Sequence, residues 1–376
     1  MMRFSTLIRH PADWMTGVQA EANAVVTSRI RLARNLRGHS FPGWAKKSQR
    51  AETLAILRPA VEGLSAMKGA FSRELGDLTQ VQKQVLVERH LISREHAAKS
   101  EGSGAVIERS QSFSIMLNEE DHLRMQSIRP GLRLKEAYVA LNALDSELEQ
   151  KLDYAFDPIL GYLTTCPTNL GTGLRASAML HLPGLVLSDQ IGPVLQAVNK
   201  IGLAVRGLYG EGTESLGNLY QISNQSTLGE TEDTIIERLD RVIAQVASHE
   251  QNAREKLMED DPGMVADKIG RAYGILRSAH LIESKEALNL LSLLRLGGNL
   301  ALFPAGTVNL CDTLLMDIQQ AHLQLHAGTK LSPDHRDSIR AEILRSRLQS
   351  LDSPDIHSNK KDQTNRFPED GNPENA

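Results

Sequence analysis

The sequence predicts an α+β protein in which a mixed sheet flanked by helices is followed by an all-helical part. Two strand patterns and one change of periodicity support this fold class. Residues 24–34 contain the apolar run of a strand, and over residues 112–117 Phe113, Ile115 and Leu117 alternate with serine and methionine, a pattern typical of a half-buried strand. After Gly229, apolar residues recur with helical spacing as far as about Leu351.

The segments around these strands supply the remaining elements of the sheet layer. Residues 46–68 and 78–100 have helical periodicity, and residues 135–152 form an amphipathic pattern whose apolar residues share one helix face. Residues 195–205 followed by 219–222 indicate a helix, a strand, a long glycine-bearing loop and a second strand.

Chain length and a turn-rich breaker predict the domain organisation. A chain of 376 residues is too long for one comfortable core, so we expect two domains and a tail. The sequence Asp-Asp-Pro-Gly at 260–263 is a strong helix breaker, and helical patterns resume at 285–296 and 311–325. The expected parts are an N-terminal segment over 1–23, a sheet-containing domain over 24–260, a helical domain over 261–351 and a disordered polar tail over 352–376.

Composition excludes several classes of function. A formal net charge of -4 gives no broad electrostatic reason to bind nucleic acid or an anionic membrane. The two cysteines are far apart and form neither a disulfide framework nor a zinc site, which favours a reducing, cytoplasmic setting. The N-terminal apolar run ends early at Arg9 and Pro11, and no apolar stretch is long enough to span a bilayer, so a soluble protein without a signal peptide is expected.

Arginines at alternate positions mark the first strand as a candidate anion site. In the sequence Thr27-Ser28-Arg29-Ile30-Arg31, positions 29 and 31 project from the same face of a strand. Two neighbouring guanidinium groups repel each other unless an anion lies between them, and phosphate is the usual anion. A solvated surface strand is an equally good interpretation of this segment alone.

A second candidate segment concentrates opposite charges. Three acids, Glu119 to Asp121, follow the strand that ends near residue 117, and Arg124 follows them. This density of opposite charges would be explained if the carboxylates held a cationic substrate and the arginine held an anionic one. The alternative is that a helix starts here and the acids compensate its dipole.

Two glycine-bearing loops also carry arginine. The first runs from Cys166 through Gly171 and Gly173 to Arg175, and lacks the lysine and hydroxyl ending of a P-loop. The second, over 205–212, has three glycines that favour a mobile loop able to carry Arg206 and Glu211 onto a substrate. Taken separately, the first could be an ordinary loop with a buried thiol.

A fifth segment lies in the helical part. Ser332-Pro333 is a helix-start signal, and on the helix that follows Arg336 and Arg340 share a face, with Asp337 able to orient Arg340. The alternative interpretation is a solvated helix face.

The first four segments, in this order and at this spacing, resemble the catalytic half of the phosphagen (ATP:guanido) kinases. The resemblance is strongest to the bacterial protein-arginine kinases and extends over roughly residues 10–350. It implies a phosphagen-kinase-like catalytic domain with a mainly antiparallel sheet over 24–260, and a phosphoarginine-binding helical domain over 261–351. We expect no separate helical N-terminal domain of the kind found in the creatine and arginine metabolite kinases, because few residues precede Val25.

The resemblance assigns roles to individual positions. Glu120 and Glu211 match the carboxylates that bind the substrate guanidinium, and Cys166 matches the thiol beside it. The implied nucleotide-binding residues are Thr27, Ser28, Arg29, Ile30, Arg31, His90, Arg124, Arg175, Ala176, Ser177, Ala178, Met179, Arg206, Gly207, Leu208, Tyr209, Gly210 and Glu211. The implied allosteric phosphoarginine site consists of Arg336, Asp337, Ser338, Ile339, Arg340 and Ala341.

Two positions depart from the pattern of the family. Thr27 stands where serine is usual, which keeps a hydroxyl group, and residues 224–229 replace the basic cluster of the metabolite kinases. The second departure favours a protein acceptor over a small molecule.

The resemblance also implies the substrates and partners. We expect ATP with Mg²⁺ held mainly by the nucleotide and water, arginine-containing protein substrates and a homodimer. An activator protein, a heat-shock repressor and a Clp-type protease would be further partners, in a stress response that marks proteins for degradation.

The expected chemistry explains why these residue types occur together. Phosphoryl transfer requires positioning and charge neutralisation, which arginines supply. The acceptor guanidinium is protonated at neutral pH, so Glu120 and Glu211 would clamp it and one would take a proton as the nitrogen attacks. A thiolate at Cys166 would add negative charge nearby. The alternatives are a kinase for free arginine or another small guanidino compound, and a non-catalytic phosphoarginine reader.

Overall fold

Strands from the first two thirds of the chain form one eight-stranded sheet. The computed structural model describes residues 2–9, 11–16, 24–207 and 215–355. The strands in chain order are β1 Val25–Arg34, β2 Phe71–Glu74, β3 Gly104–Ile107, β4 Phe113–Leu117, β5 Leu123–Pro130, β6 Phe156–Asp157, β7 Gly161–Tyr162, β8 Leu174–His181, β9 Leu203–Gly207 and β10 Leu219–Asn224. The sheet order is β2-β3-β4-β5-β1-β8-β10-β9, and β6 and β7 form a separate hairpin.

Helices cover the sheet and form the whole of the C-terminal part. They are α1 Phe4–Ile8, α2 Asp13–Thr16, α3 Lys47–Glu62, α4 Gln80–Glu88, α5 Arg94–Ala97, α6 Leu134–Glu149, α7 Pro183–Leu187, α8 Ile191–Lys200, α9 Glu232–Asp260, α10 Pro262–Ser278, α11 Ser284–Asn299, α12 Thr307–Asp317, α13 Gln320–Ala327 and α14 Pro333–Leu348. Among the helices that the structure describes, none combines the length and hydropathy of a bilayer span.

The central strand β1 divides the molecule into two faces. It pairs antiparallel with β5 on one side and β8 on the other. Ile30 and Leu32 belong to a core shared with α3, α6 and α9. Because side chains alternate along a strand, Arg29 and Arg31 lie on the opposite face, away from that core.

A second core joins the helical part to this opposite face. Apolar residues of α10, α11, α12 and α14 pack with Val26 of β1, Ile128 of β5 and Met179 of β8. One end of the arginine-bearing face is therefore covered by the C-terminal helices, and the other end remains open.

The structure confirms the predicted fold class and several elements. The strand at 24–34, the helix at 135–152 and the long helix after Gly229 are all present. That helix ends at Asp260, and the side chain of Asp261 caps α10 by accepting from the amide of Met264 at 2.9 Å.

Other predictions are corrected. The sheet is not mixed, because each pair of neighbouring strands in the described residues is antiparallel. Strand β4 is buried over four of its five residues instead of half-buried, because both of its faces are covered. Ile115 and Leu117 pack into the core that includes α3, and Met116 packs into a core with Leu86 of α4. The helical pattern over 78–100 is interrupted at His90, whose φ of 59° ends α4, and that over 311–325 is split at Ile318 and Gln319.

The predicted disordered tail lies almost entirely outside the described residues. Residues 352–355 are described, and the amide of Asp355 donates to the carbonyl of Leu302 at 2.9 Å. Residues 356–376 are not described.

Candidate active site

An open cleft of about 650 Å³ lies on the face of the sheet that carries Arg29 and Arg31. Five arginines, three carboxylates, one lysine and one thiol line it together with small polar residues. The lining residues are Arg29, Arg31, Gly43, Ser93, Glu95, Lys99, Glu119, Glu120, Arg124, Thr165, Cys166, Thr168, Asn169, Arg175, Arg206, Gln221 and Ser223. The cleft thus brings together residues from all four segments of the sheet-containing part, with Arg206 as the contribution of the fourth.

The register of β1 and β8 explains which of the predicted nucleotide-binding side chains face this side. Thr27 lies opposite Met179, Arg29 opposite Ser177, and Arg31 opposite Arg175. The intervening residues point to the other face, where Ile30, Ala176 and Ala178 belong to the core. The hydroxyl of Ser28 donates to the carbonyl of Gly131 and accepts from the amide of Arg133, both at 2.8 Å. The side chains of Ser28, Ile30, Ala176 and Ala178 therefore do not enter the cleft.

The arginines of the cleft are held close together in a buried setting. Burial, and then the charges of Arg124 and Arg175, lower the pKa of Arg29 to about 10. The pKa values of Arg31 and Arg175 are lowered as well, first by burial and then by neighbouring arginines. The Nε atoms of Arg31 and Arg175 are buried without a hydrogen-bond partner. A polyanion in the cleft would satisfy these donors and relieve the repulsion.

Glu119 and Arg124 form an ion pair that the sequence did not predict. Nη1 of Arg124 donates to both carboxylate oxygens of Glu119, at 2.7 and 2.8 Å, and the hydroxyl of Ser93 donates to the same carboxylate at 2.5 Å. Burial opposes the charged form of Glu119, but Arg124 and these hydrogen bonds outweigh it and lower its pKa to about 2. Glu119 thus holds the guanidinium of Arg124 in place.

The acidic segment is a hairpin turn between β4 and β5, so the interpretation as a helix start is wrong. The amide of Asn118, whose φ is 53°, donates to the carbonyl of His122 at 2.9 Å. Asp121 accepts from the side-chain amide of Asn35 and from the backbone amide of Thr165, both at 2.7 Å. Glu120, between these anchored neighbours, faces the cleft.

Glu120 is the carboxylate available to an acceptor group. Its pKa is raised, first by partial burial and then by the charges of Asp121 and Glu119. Among the described residues no cation forms an ion pair with it, in contrast to Glu119. A cationic ligand beside Glu120 would therefore find an uncompensated negative charge.

Cys166 lies next to Glu120 because the two loops are tied together. The hydroxyl of Thr165 donates to the carbonyl of Glu120 at 2.9 Å, and the Cys166 sulfur is 3.0 Å from the hydroxyl of Thr168. The predicted need for glycine in this loop is confirmed at Gly173, where a Cβ atom would lie 2.6 Å from the carbonyl oxygen of Ala33. The thiol is half-buried, so the interpretation as an ordinary loop with a buried thiol does not fit.

A small cavity of about 30 Å³ adjoins the arginine cluster near His90. Its lining residues are Trp14, Thr27, Arg29, His90, Ile128, Ser177, Met179 and Gln221. Burial, and then the charge of Arg29, lower the pKa of His90 to about 4, so this imidazole is neutral. Neither Trp14 nor Gln221 was predicted from the sequence. Gln221 and Ser223 occupy alternate positions of β10 beside Arg206, and this alternation is the sequence signal that could have identified Gln221.

The second glycine-bearing loop is only partly described. Arg206 lies exposed on β9 opposite Gln221, and Gly207 ends that strand. The predicted site residues Leu208, Tyr209, Gly210 and Glu211 lie outside the described residues.

The C-terminal motif on α14 does not form a solvated face. Arg340 is 2% exposed, pairs with Asp337, and donates to the carbonyls of Ile282 and Ile318 at 2.8 and 3.3 Å. Arg336 is half-buried and donates to the carbonyl of Leu331 at 3.1 Å, so the two arginines have separate environments. Ala341 is buried, Ile339 is half-buried and Ser338 is exposed.

A cleft that combines clustered, unsatisfied arginines with an unpaired carboxylate and a thiol is suited to transferring a phosphoryl group to a cationic acceptor. Comparison with known families agrees with this class. Residues 56–253 match the model of the ATP:guanido phosphotransferase C-terminal catalytic domain. Residues 262–359 match the model of the protein-arginine kinase McsB C-terminal domain.

Curated relatives define the family more narrowly. The protein-arginine kinase of Moorella thermoacetica is 46% identical over 340 residues, which cover 90% of this chain and 97% of the relative. That of Brevibacillus brevis is 45% identical over 345 residues, which cover 91% and 96%. The chain belongs to the protein-arginine kinase family.

Solved structures share the fold at lower identity. A lombricine kinase crystal structure superposes with a TM-score of 0.55 and 26% identity over 67% of this chain and 74% of that chain. The duplicated taurocyamine kinase from Schistosoma mansoni gives a TM-score of 0.57 and 25% identity over 74% and 46%. The predicted phosphagen-kinase fold is thus confirmed.

Proposed function

We propose that this chain transfers the γ-phosphoryl group of ATP to the side chain of arginine residues in proteins. The observation that carries the proposal is the placement of buried, unsatisfied arginines and an unpaired Glu120 in one cleft. The arginines suit a polyphosphate, and Glu120 suits a guanidinium.

The arginine end of the cleft is assigned to ATP. Arg29, Arg31, Arg124, Arg175 and Arg206 are placed to hold the phosphates, and the cavity beside His90 continues this end towards the C-terminal helices. Preorganised cations stabilise the charge that spreads over the transferring group. Both oxygens of Glu119 accept from Arg124, so we assign Mg²⁺ to the phosphate oxygens and water, where it would neutralise part of the phosphate charge.

The carboxylate end is assigned to the acceptor. Glu120 would accept hydrogen bonds from the guanidinium and take one proton as the nitrogen attacks the γ-phosphorus. The bond from the γ-phosphorus to the bridging oxygen of the β-phosphate breaks in the same transfer, and ADP leaves. Glu211 would form the second half of the clamp, as its match to the family pattern implies. Cys166, half-buried beside Glu120, would position the group without forming a covalent bond.

A protein acceptor is favoured over free arginine. Residues 224–229, which replace the basic cluster of metabolite kinases, have a structural use here. The side chain of Asn224 accepts from the amide of Ala176 at 2.9 Å, and the hydroxyl of Thr227 donates to the carbonyl of Leu170 at 2.6 Å. These contacts hold β8 and the Cys166 loop in place. Residues 224–229 therefore contribute no positive charge to the binding of the acceptor.

The test is mass spectrometry for acid-labile phosphate on arginine. The full chain is incubated with ATP, Mg²⁺ and an arginine-containing protein, and a parallel reaction contains free arginine instead. Phosphoarginine in the protein, with little product from free arginine, is expected. Product from free arginine alone would favour a metabolite kinase, and no product in either reaction would favour a non-catalytic reader.

Replacing Arg29 with alanine is expected to weaken ATP binding by about tenfold or more, because a charged hydrogen bond contributes about 1.5–3 kcal/mol. Calorimetric titration with ATP measures the change. The fold should survive, because the substitution removes repulsion with Arg124 and Arg175. Arg241→Ala, on the exposed face of α9, is the control and should bind ATP as the parent does. Unchanged affinity in Arg29→Ala would contradict the phosphate assignment.

We further propose that Arg336–Ala341 binds phosphoarginine and that binding there is coupled to the active site. Because Arg340 already donates to two carbonyls, a ligand phosphate would have to compete with these contacts or use Arg336. The same proposal includes domain limits of 24–260 and 261–351, a homodimer and a cytoplasmic setting. Its expected partners are an activator protein, a heat-shock repressor and a Clp-type protease.

The double variant Asp337→Ala/Arg340→Ala is expected to lose any activation by free phosphoarginine. Kinase assays with and without phosphoarginine measure the response, and a melting curve checks that the variant is folded. Arg345→Ala is the matched control, since Arg345 on the same helix donates to the carbonyl of Ala279. A double variant that responds as the parent does would show that the motif is only structural.

A further inference from the structure

Two large apolar side chains stand exposed on loops that are built onto the acceptor end of the cleft. Trp44 is 84% exposed and Ile159 is 89% exposed. A tryptophan this exposed is unusual, because burying a large aromatic surface is strongly favourable. The loop with Trp44 is bonded to the turn that carries Glu120, and the hairpin with Ile159 is bonded to the Cys166 loop, which is itself tied to that turn.

The loop that carries Trp44 is fixed by His122. The amide of Leu36 donates to Nδ1 of His122 at 3.0 Å, so Nε2 carries the proton and donates to the carbonyl of Ser40 at 3.1 Å. The ring of Phe41 packs edge-on against the same imidazole, and the Trp44 amide donates to the Phe41 carbonyl at 2.9 Å. Gly43, next to Trp44, lines the cleft itself.

The hairpin of β6 and β7 presents the second exposed group. Asp157 accepts from the amides of Ile159 and Leu160 at 2.8 and 2.9 Å, which fixes the turn with Ile159 pointing into solvent. The hairpin is held by Tyr162, whose amide donates to the carbonyl of Gly171 at 2.8 Å. From Tyr162 the chain continues through Thr165 to Cys166.

We propose that Trp44, together with the Ile159 hairpin, is a docking surface for apolar residues that flank the target arginine in a polypeptide substrate. The proposal rests on the proposed function and specifies its substrate class as arginine segments with a large apolar neighbour. Continuity with the cleft supports this occupant. Gly43, next to Trp44, lines the cleft, and Cys166, which also lines it, lies on the loop to which the Ile159 hairpin is bonded through Tyr162 and Gly171. Exposed tryptophan is also a residue type that dominates binding energy at interfaces.

Intrinsic fluorescence tests binding without catalysis. The chain has two tryptophans, and Trp14 is only 3% exposed, so the solvent-sensitive emission comes from Trp44. An arginine peptide with leucine flanks and no aromatic residue should shift the emission to shorter wavelength. Trp44→Phe should abolish the shift. No shift at peptide concentrations that saturate the kinase reaction would overturn the proposal.

Kinetics test the specificity. Two peptides of equal length and charge carry leucine or serine beside one arginine, and the parent should favour the leucine peptide roughly tenfold in kcat/KM. Trp44→Ser should reduce this ratio to near one, whereas Val139→Ser, at an exposed apolar position of α6 on the opposite face of the sheet, should keep it. A ratio unchanged in Trp44→Ser overturns the docking surface. If neither peptide is phosphorylated, the proposed function fails, and the fluorescence shift alone decides the docking surface.

Discussion

Replacing Glu120 with glutamine is expected to lower the rate of phosphoryl transfer to arginine by on the order of 10²- to 10⁴-fold, the usual contribution of a positioned general base. Glutamine keeps the shape of the side chain but removes the negative charge and the proton acceptor. ATP binding should persist, because the phosphate-facing arginines keep their partners, including the pair between Arg124 and Glu119. Rates at saturating ATP and titration with ATP measure the two effects separately.

The pH dependence of stability distinguishes a functional loss from a folding defect. The pKa of Glu120 is raised in the folded chain, so the native state holds this proton more tightly than the unfolded state does. Ionised Glu120 therefore opposes folding, and its cost develops as the pH rises from the ordinary carboxyl pKa through the raised one. At neutral pH the melting temperature of Glu120→Gln should equal or exceed that of the parent.

The other carboxylates of the cleft supply a matched control. Glu95 also lines the cleft and is exposed, but it does not lie in the turn tied to Thr165 and Cys166. Glu95→Gln should keep transfer within a few-fold of the parent. A Glu120→Gln variant with normal turnover, or one whose ATP affinity collapses while turnover at saturation survives, would refute the assignment of Glu120 to the acceptor.

Local periodicity predicted the part of the site that lies on β1. The alternation of Arg29 and Arg31 with apolar residues determined which face each would occupy, because side chains of a strand alternate whatever the surrounding fold. The same rule separates Arg175 from Ala176 on β8. Strand periodicity also identified β4 before the acidic segment, but it could not show that the segment is a turn leading into β5.

Contacts between distant segments could not be predicted in this way. In the sequence, Glu119 cannot be distinguished from the two acids that follow it. Only the pairing of β4 with β5 places Arg124 beside it. Arg340 reads as a surface residue of α14, and its burial depends on carbonyls 58 and 22 residues away in the chain. The split between α12 and α13 likewise has no strong local breaker, because the sequence there lacks glycine and proline.

A buried ion pair between α11 and α12 positions an arginine that also bonds to the end of β8. Arg295 of α11 donates to the two carboxylate oxygens of Asp312 of α12 at 2.8 and 3.3 Å, and both side chains are almost fully buried. Arg295 also donates to Nδ1 of His181 at 3.1 Å, and Nε2 of His181 contacts the hydroxyl of Ser292 at 2.7 Å. Burial, and then the charge of Arg295, lower the pKa of His181, so the imidazole is neutral and can accept from Arg295.

Replacing Asp312 with asparagine is expected to reduce the free energy of unfolding by about 3–5 kcal/mol, because it leaves a buried guanidinium without its counter-charge. Denaturant titration measures the loss. Asp317→Asn is the control; its partner Arg347 lies 3.7 Å away and is half exposed, so the expected cost is below about 1 kcal/mol. The double variant Arg295→Met/Asp312→Leu should recover much of the loss, because it removes both charges from the interior. If Asp312→Asn costs no more than the control, the buried ion pair does not stabilise the helical part.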